Sequence, residues 1–261
     1  MEIQQFCANL AANKVVINER QLRQFAVYFD LIREYSKLMN LTTIVDLPEV
    51  YGKHFYDSLS LMFNRTIIGE LLDVGSGAGF PGVPLKIMNP DLELTLLEPT
   101  GKKTKFLTLV IKELNLGPVE LVNKRAEDYA KEKREHFDIV TARAVADLPI
   151  LCELCLPLVK VSGEFWAMKG PDITLELQKS QTAIKLLGGQ LKEINQYTYD
   201  NQRRNNIGIS KVKPSPAKYP RSYGLIRKQP LWWLTIIEAK VILLIYCELI
   251  YEQKRQGNTR V

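Results

Sequence analysis

Cysteine is scarce in this sequence and is not arranged as a disulfide framework. Four cysteines occur among 261 residues, and two of them form the close pair Cys152-Glu153-Leu154-Cys155. A structural zinc site would need a second pair of ligands, which the sequence lacks. The segment around the pair is apolar and typical of a core-facing helix. We therefore expect buried thiols, no metal site and a reducing compartment, the cytoplasm.

Long apolar runs free of charge are also lacking. The chain does not open on a basic leader followed by an apolar segment, so we expect no secretion signal. The most apolar stretch, 231–251, is interrupted by Glu238, Lys240 and Glu248. These charges argue against a spanning helix, and we expect no integral membrane association. Residues 231–261 are interpreted as an apolar tail of unknown role, docked on the core or in peripheral contact with a membrane.

Acidic residues are fewer than basic ones, which points to an anionic partner. The chain has 35 Lys and Arg against 29 Asp and Glu, a formal net charge of +6. The segment 202–228 contains no acid, and tyrosines and prolines are interleaved with its eight basic residues, Arg203, Arg204, Lys211, Lys213, Lys218, Arg221, Arg227 and Lys228. This pattern indicates a surface that contacts phosphates and stacks on unpaired bases, with a solvated basic loop as the alternative.

Hydrophobic periodicity predicts an α/β fold. Helical spacing of apolar residues predicts helices over 19–39 and about 48–62. Apolar strands are predicted at 70–74, 92–97, 119–122, 137–141, 163–168 and 190–197, with helical patterns between most of them. This alternation predicts a doubly wound, mostly parallel sheet. We divide the chain into an N-terminal helical region (1–66), a nucleoside-binding domain with a basic C-terminal segment (67–230) and the tail (231–261).

The most informative segment is a glycine-dense turn after the first predicted strand, Asp73-Val74-Gly75-Ser76-Gly77-Ala78-Gly79-Phe80-Pro81-Gly82. Glycines permit positive φ and expose amide N–H groups to a nucleoside cofactor. Two cofactor classes fit. Residues 77–82 satisfy G-x-G-x-x-G of dinucleotide sites, whereas Asp73 begins the Asp-x-Gly-x-Gly-x-Gly pattern of S-adenosylmethionine-dependent methyltransferases. A carboxylate favours an ammonium and a sulfonium over a pyrophosphate, so Asp73 favours the methyltransferase, and an oxidoreductase remains the alternative.

Four further segments follow predicted strands, at the carboxyl edge of the sheet. Glu98 is placed to bind the ribose hydroxyls, or to cap a helix. Residues Ala126 and Glu127 offer backbone groups and an acid to the adenine edge, or simply begin a helix. Arg143 can clamp the carboxylate of the cofactor or a phosphate of the substrate, and Lys169 marks the opposite wall of the cleft.

No Asn-Pro-Pro-Tyr segment follows the fourth predicted strand, and no cysteine is placed as a nucleophile. An acceptor that is already nucleophilic, such as guanine N7, needs neither group. Positioning would then supply most of the rate. We assign no catalytic residue and no general base.

Together these segments resemble the bacterial 16S ribosomal RNA (guanine-N7) methyltransferase G family, also called glucose-inhibited division protein B, over about residues 20–230. Besides the glycine turn, the resemblance rests on Asn40-Leu41-Thr42, His54-x-x-Asp57-Ser58, Leu96-Leu97-Glu98 with Gly101-Lys102-Lys103, Arg125-Ala126-Glu127, Thr141-Ala142-Arg143-Ala144, Lys169-Gly170 and Tyr219-Pro220-Arg221. It implies a seven-stranded class I (Rossmann-like) methyltransferase sheet. The implied reaction is methylation of guanine N7 in 16S ribosomal RNA with S-adenosylmethionine, on naked RNA or on the small ribosomal subunit.

The residues expected to bind the cofactor are Asp73, Gly75, Gly77, Gly79, Phe80, Glu98, Pro99, Thr100, Ala126, Glu127 and Arg143. Those expected to contact RNA are Lys53, His54, Arg143, Lys169, Lys218 and Arg221. The chain departs from the family after Tyr219-Pro220-Arg221, where Ser222-Tyr223 and Leu225-Ile226 replace basic and Gly-x-Pro residues. A small-molecule methyltransferase and an RNA-binding assembly factor that retains a nucleoside pocket remain alternatives. We expect a monomer.

Overall fold

The computed structural model describes residues 1–39 and 41–232. Asn40 of the family motif and nearly all of the predicted apolar tail, from residue 233 onward, lie outside the described residues. Within the described part of the chain, no helix combines the length and apolar character needed to cross a membrane.

Helices form the first part of the chain. Helix α1 (Ile3–Ala12) is followed by α2 (Glu19–Met39), which confirms the helix predicted over 19–39. The side chains of Phe25, Phe29 and Ile32 recur at helical spacing and are buried, so α2 presents one apolar face to the core. The predicted helix at 48–62 is a continuous series of short turns. These are α3 (Leu47–Glu49), a π-helical segment (Val50–Tyr56), α4 (Asp57–Leu59) and a 3₁₀ turn (Ser60–Met62).

Seven strands form one mixed sheet, which confirms the predicted α/β class. They are β1 (Glu70–Val74), β2 (Glu93–Leu97), β3 (Val119–Val122), β4 (Phe137–Arg143), β5 (Val159–Lys169), β6 (Gly189–Tyr199) and β7 (Gln202–Lys211). Their order is β3-β2-β1-β4-β5-β7-β6. The first five strands are mutually parallel, whereas β7 runs antiparallel to both of its neighbours.

The strand β7 was not predicted, because its residues were interpreted as part of a basic surface segment, 202–228, with a solvated loop as the alternative. Residues 202–211 of that segment are instead paired with β5 and β6. The turn between β6 and β7 consists of Asp200 and Asn201, both with positive φ (51° and 56°). Two such residues are typical of a tight hairpin, so Asp-Asn after a strand was the signal that indicated β7.

The remaining helices cover the two faces of the sheet: α5 (Gly82–Met88), α6 (Gly101–Glu113), α7 (Ala126–Glu132), α8 (Leu148–Cys155), α9 (Thr174–Leu186) and α10 (Tyr223–Lys228). One core joins the N-terminal helices to α5 and α6 on one face, and a second core lies under α7, α8, α9 and α10 on the other. The boundary predicted at residue 66 falls in the connection into β1. Because β1, β2 and β4 end at the same edge, the loops after them meet there.

Candidate functional site

The glycine loop after β1 needs glycine at three positions. The φ angles of Gly75, Gly77 and Gly79 are 70°, 60° and 102°, a region that disfavours side chains. A Cβ at Gly75 would also lie 2.8 Å from Cγ2 of Val145. Because Gly75 has no side chain, the loop can lie directly against Val145, in the segment after β4.

The carboxyl group of Asp73 lies beneath this loop and not on the surface of the cleft. The residue is fully buried, and its Oδ2 accepts a hydrogen bond of 2.9 Å from the N–H of Gly82, at the start of α5. Its Oδ1 has no hydrogen-bond partner among the described residues. Burial raises the pKa of Asp73 from 3.8 to about 7. The contact predicted between Asp73 and the charged end of a cofactor stays a prediction.

A cavity of about 410 Å³ opens above the loop. Six of the residues predicted to bind the cofactor line it: Gly75, Gly77, Phe80, Glu98, Pro99 and Arg143. The other five predicted residues do not line it: Asp73, Gly79, Thr100, Ala126 and Glu127. Lys103, Ala144 and Val145 line the same cavity, although they were not predicted to bind the cofactor. The position of Ala144 and Val145, directly after β4, was the available signal.

Glu98 connects the glycine loop to the end of β2. Its carboxylate is almost fully buried, and it accepts hydrogen bonds from the N–H of Gly77 at 2.9 Å and of Thr100 at 2.8 Å. One bond is made through each oxygen, and a carboxylate oxygen has two lone pairs. Glu98 can therefore fix the loop and still accept hydroxyl groups from a ligand in the cavity.

A second cavity, of about 370 Å³, adjoins the first. The two share three residues, His54, Arg143 and Ala144. The second cavity is otherwise lined by Ile44, Lys53, Asp57, Met168, Lys169, Gly170, Asp172, Glu176, Tyr197, Arg204 and Asn206. It contains four cationic side chains and is bounded by the ends of β4, β5 and β6. The site thus has two compartments with a common wall.

Arg143 forms much of this common wall. Its Nη1 donates to Oδ2 of Asp57 at 2.9 Å and to the carbonyl of Lys53 at 3.1 Å. The guanidinium carbon lies 4.8 Å from the centroid of the Phe80 ring, a distance at which a cation is attracted to an aromatic face. Arg143 is therefore held from three sides between the compartments.

His54 is neutral in this environment. Its ring stacks on Phe80 with centroids 4.6 Å apart, its Nε2 lies 3.1 Å from the hydroxyl of Thr42, and its Nδ1 lies 3.3 Å from Nη2 of Arg143. Two neutral tautomers fit: with its proton on Nε2 the ring donates to Thr42 and accepts from Arg143, and with its proton on Nδ1 it donates to the carbonyl of Lys53, 3.2 Å away. Burial, followed by the charge of Arg143, lowers the pKa of His54 from 6.5 to about 3.

We therefore expect the His54 imidazole not to titrate between about pH 5 and pH 8. Because folding lowers its pKa from 6.5 to about 3, the unfolded chain binds the proton more readily. The stability that neutral His54 contributes is complete above pH 6.5 and falls as the pH drops toward 3. Histidine NMR on the His136→Gln variant, which keeps one of the two imidazoles of the chain, measures this directly. Chemical shifts that move through neutral pH would contradict the expectation.

Of the six residues predicted to contact RNA, four line the second cavity and two do not. Lys53 and Lys169 line the second cavity with His54 and Arg143. Both lysines are already paired, Lys53 with Glu49 and Lys169 with Glu176 at 2.7 Å. Lys218 is exposed and lies outside both cavities.

Arg221, in contrast, is part of the fold. Its Nε and Nη2 bind the two oxygens of the fully buried Glu153 at 2.7 and 2.6 Å. The Arg221 side chain, which we expected to contact RNA, therefore forms an ion pair within the protein. Helix α8 places the carboxylate of Glu153 beneath it, and this carboxylate would otherwise be unpaired. The ion pair of Arg221 with Glu153 is structural, and the contact of Arg221 with RNA stays a prediction.

The close cysteine pair is buried in α8, where burial raises the pKa of both the Cys152 and Cys155 thiols. Over residues 1–39 and 41–232, no group of three or more His, Cys, Asp or Glu side chains is arranged to hold a metal ion.

Comparison with known proteins gives consistent matches. The family model GidB, rRNA small subunit methyltransferase G, matches residues 21–206. Proteins named ribosomal RNA small subunit methyltransferase G are similar to most of the chain. The one from Exiguobacterium sibiricum is 43% identical over 237 residues, which cover 88% of this chain and 100% of that protein. The one from Lactobacillus johnsonii is 44% identical over 87% of this chain and 98% of that protein. The one from Geobacillus kaustophilus is 44% identical over 88% and 100%.

Proposed function

The chain belongs to the rRNA small subunit methyltransferase G family, and from this premise we propose that it methylates N7 of a guanine in 16S ribosomal RNA with S-adenosylmethionine. The observation that supports the proposal most is the pair of cavities that meet at Arg143. One cavity has a backbone cradle and an acid, as a nucleoside requires. The other is lined by four cationic and three acidic side chains, and its cations can contact the phosphates of an RNA substrate.

The cavity above the glycine loop fits S-adenosylmethionine. A Cβ at Gly77 would meet only the carbonyl oxygen of Gly75, 3.9 Å away, so the loop leaves room for a ligand against its backbone. We propose that Glu98 accepts the ribose hydroxyls and that Gly75, Gly77 and Arg143 hold the methionine part. For Asp73, Gly79, Thr100, Ala126 and Glu127, which do not line this cavity, we propose support of the pocket from behind.

The second cavity is proposed to hold the target guanosine. Lys53, Arg143 and Lys169 line it and can contact the flanking phosphates. His54 stacks on Phe80 at the boundary of the two cavities and orients the acceptor. Lys218 is proposed to contact RNA further along the surface. In this scheme the protein acts on the small ribosomal subunit or its RNA, in the cytoplasm.

No residue of the site needs to remove a proton. Bound S-adenosylmethionine supplies an electrophilic methyl group, and neutral guanine presents a free lone pair at N7. The neutral ring of His54 and the fully engaged carboxylate of Asp57 are suited to orientation and not to proton transfer. The rate enhancement then comes from alignment of donor and acceptor by groups fixed in advance.

The test is methyl transfer from tritiated S-adenosylmethionine to small ribosomal subunits, and to 16S RNA extracted from them, prepared from cells that lack this protein. We expect one guanosine to be labelled and the RNA to become cleavable there by reduction and aniline, as 7-methylguanosine is. Binding of the cofactor with no labelled RNA would favour the assembly factor. Turnover on small molecules alone would favour the small-molecule enzyme.

A further inference from the structure

Hydrogen bonds connect three side chains from distant parts of the chain, Tyr197, Asp57 and Arg143. The last of them, Arg143, lies in the wall between the two cavities. The hydroxyl of Tyr197, near the end of β6, donates to Oδ1 of Asp57 in α4. The other oxygen of this carboxylate, Oδ2, accepts from Nη1 of Arg143 at 2.9 Å. Each oxygen of Asp57 therefore has its own donor, which fixes the rotation of the carboxylate.

The connection between Asp57 and Arg143 is sheltered from solvent. The side chains of Asp57 and Arg143 are each 15% exposed, so their ion pair is screened less than a surface pair. Arg204 adds a further positive charge, with its Nε 3.9 Å from Oδ1 of Asp57. Burial raises the pKa of Tyr197 well above its usual value, so the phenol keeps its proton and remains a donor.

The ring of Tyr197 is held independently of its hydroxyl. It packs edge-on against Tyr56 and Phe63, with centroids 6.2 and 5.8 Å away. Removal of the hydroxyl alone should therefore leave the ring in place. The hydroxyl then contributes to the orientation of Asp57 and little to the packing of β6.

We propose that Tyr197 is a positioning residue for methyl transfer: through Asp57 it holds the Arg143 guanidinium in the wall between the cofactor and acceptor cavities. This inference rests on the proposed function. Without the phenol, the Asp57 carboxylate can rotate, and Arg143 loses its fixed position over Phe80. The separation of methyl donor and acceptor then varies, and small misplacements reduce rates strongly.

The first test is Tyr197→Phe. We expect kcat for 16S RNA to fall by about tenfold. The Kd for S-adenosylmethionine, measured by calorimetry, should rise by less than kcat falls, because Gly75 and Glu98 are untouched and Arg143 alone among the proposed cofactor contacts is released. The matched control is Tyr199→Phe, which removes a partly buried phenol from the same strand two residues away. The hydroxyl of Tyr199 lies 3.4 Å from the terminal amine of Met1, and its removal should leave kcat unchanged.

A double-mutant cycle separates positioning from general destabilisation. If Tyr197 acts through Asp57, the Tyr197→Phe change should lower kcat no further in an Asp57→Asn background. Losses that multiply, or a Tyr197→Phe variant with normal kcat and only a lower melting temperature, would overturn the inference.

A second readout does not depend on activity. NMR of the arginine side chains should show the Arg143 guanidinium exchanging faster with water in Tyr197→Phe than in the wild type or in Tyr199→Phe. A wild-type protein that transfers no methyl to RNA would reject the proposed function. Equal exchange at Arg143 in all three proteins would reject the positioning role, whatever the reaction.

Discussion

Replacement of Gly75 by valine is expected to raise the Kd for S-adenosylmethionine by about a hundredfold or more. The backbone of Gly75 has a φ of 70°, which a β-branched residue adopts only with strain. A Cβ there also meets Val145 at 2.8 Å. Both effects distort the glycine loop. Calorimetric titration of the purified variant measures the loss of affinity for S-adenosylmethionine.

The control for this variant is Gly224→Ala, at a glycine whose added Cβ would meet no atom within 4 Å. It should bind the cofactor as the wild type does. Gly75→Ala with Val145→Ala should recover part of the affinity that Gly75→Ala alone loses, because the double variant removes the contact but keeps the unfavourable φ. A folded Gly75→Val protein with unchanged affinity would show that the cofactor lies elsewhere.

Arg221→Met is expected to destabilise the fold strongly. It leaves the carboxylate of Glu153, fully buried, without its bidentate partner. Loss of one member of a buried pair typically costs about 3–5 kcal/mol. In a chain of this size that corresponds to a fall in melting temperature of roughly 10 °C or more. Thermal unfolding followed by circular dichroism measures it.

Two comparisons make the Arg221 result specific. Lys218→Met removes a nearby exposed charge, so its melting temperature should be unchanged while its affinity for RNA falls. Glu153→Gln in the Arg221→Met background should restore part of the lost stability, because an amide is less costly to bury than an unpaired carboxylate. An Arg221→Met protein of normal stability with weakened RNA binding would contradict the structural role and support the predicted RNA contact.

Six of the seven strands were predicted, because β1 to β5 contain apolar runs and β6 contains the apolar residues Leu191, Ile194 and Tyr197. Strand β7 differs in that its basic and amide residues, such as Arg203 and Asn205, are typical of loops. Its pairing is set by β6 and by the Asp200-Asn201 turn, and tertiary context overrides local propensity there. The short turns at 47–62 were predicted as one helix because periodicity does not distinguish α-helix from π-helix or 3₁₀ turns.

The site was predictable where strand ends determine it. Gly75, Glu98 and Arg143 converge because β1, β2 and β4 are parallel neighbours, a consequence of topology alone. The partners of charged residues were not predictable in the same way. Glu153 and Arg221 are 68 positions apart, and nothing local to either residue shows that one is buried against the other. The same limit applies to Asp73, whose position beneath the loop depends on the N–H of Gly82.

Because Arg143 contacts both cavities, occupancy of one is linked to occupancy of the other, and the linkage is reciprocal. Methyl transfer turns a sulfonium into an uncharged thioether and turns guanine into a cation. Positive charge therefore moves from the glycine-loop side of this guanidinium to the side that already holds Lys53, Lys169 and Arg204. In the proposed arrangement we therefore expect Arg143 to repel the methylated base more than the unmodified one, which favours release of the product RNA.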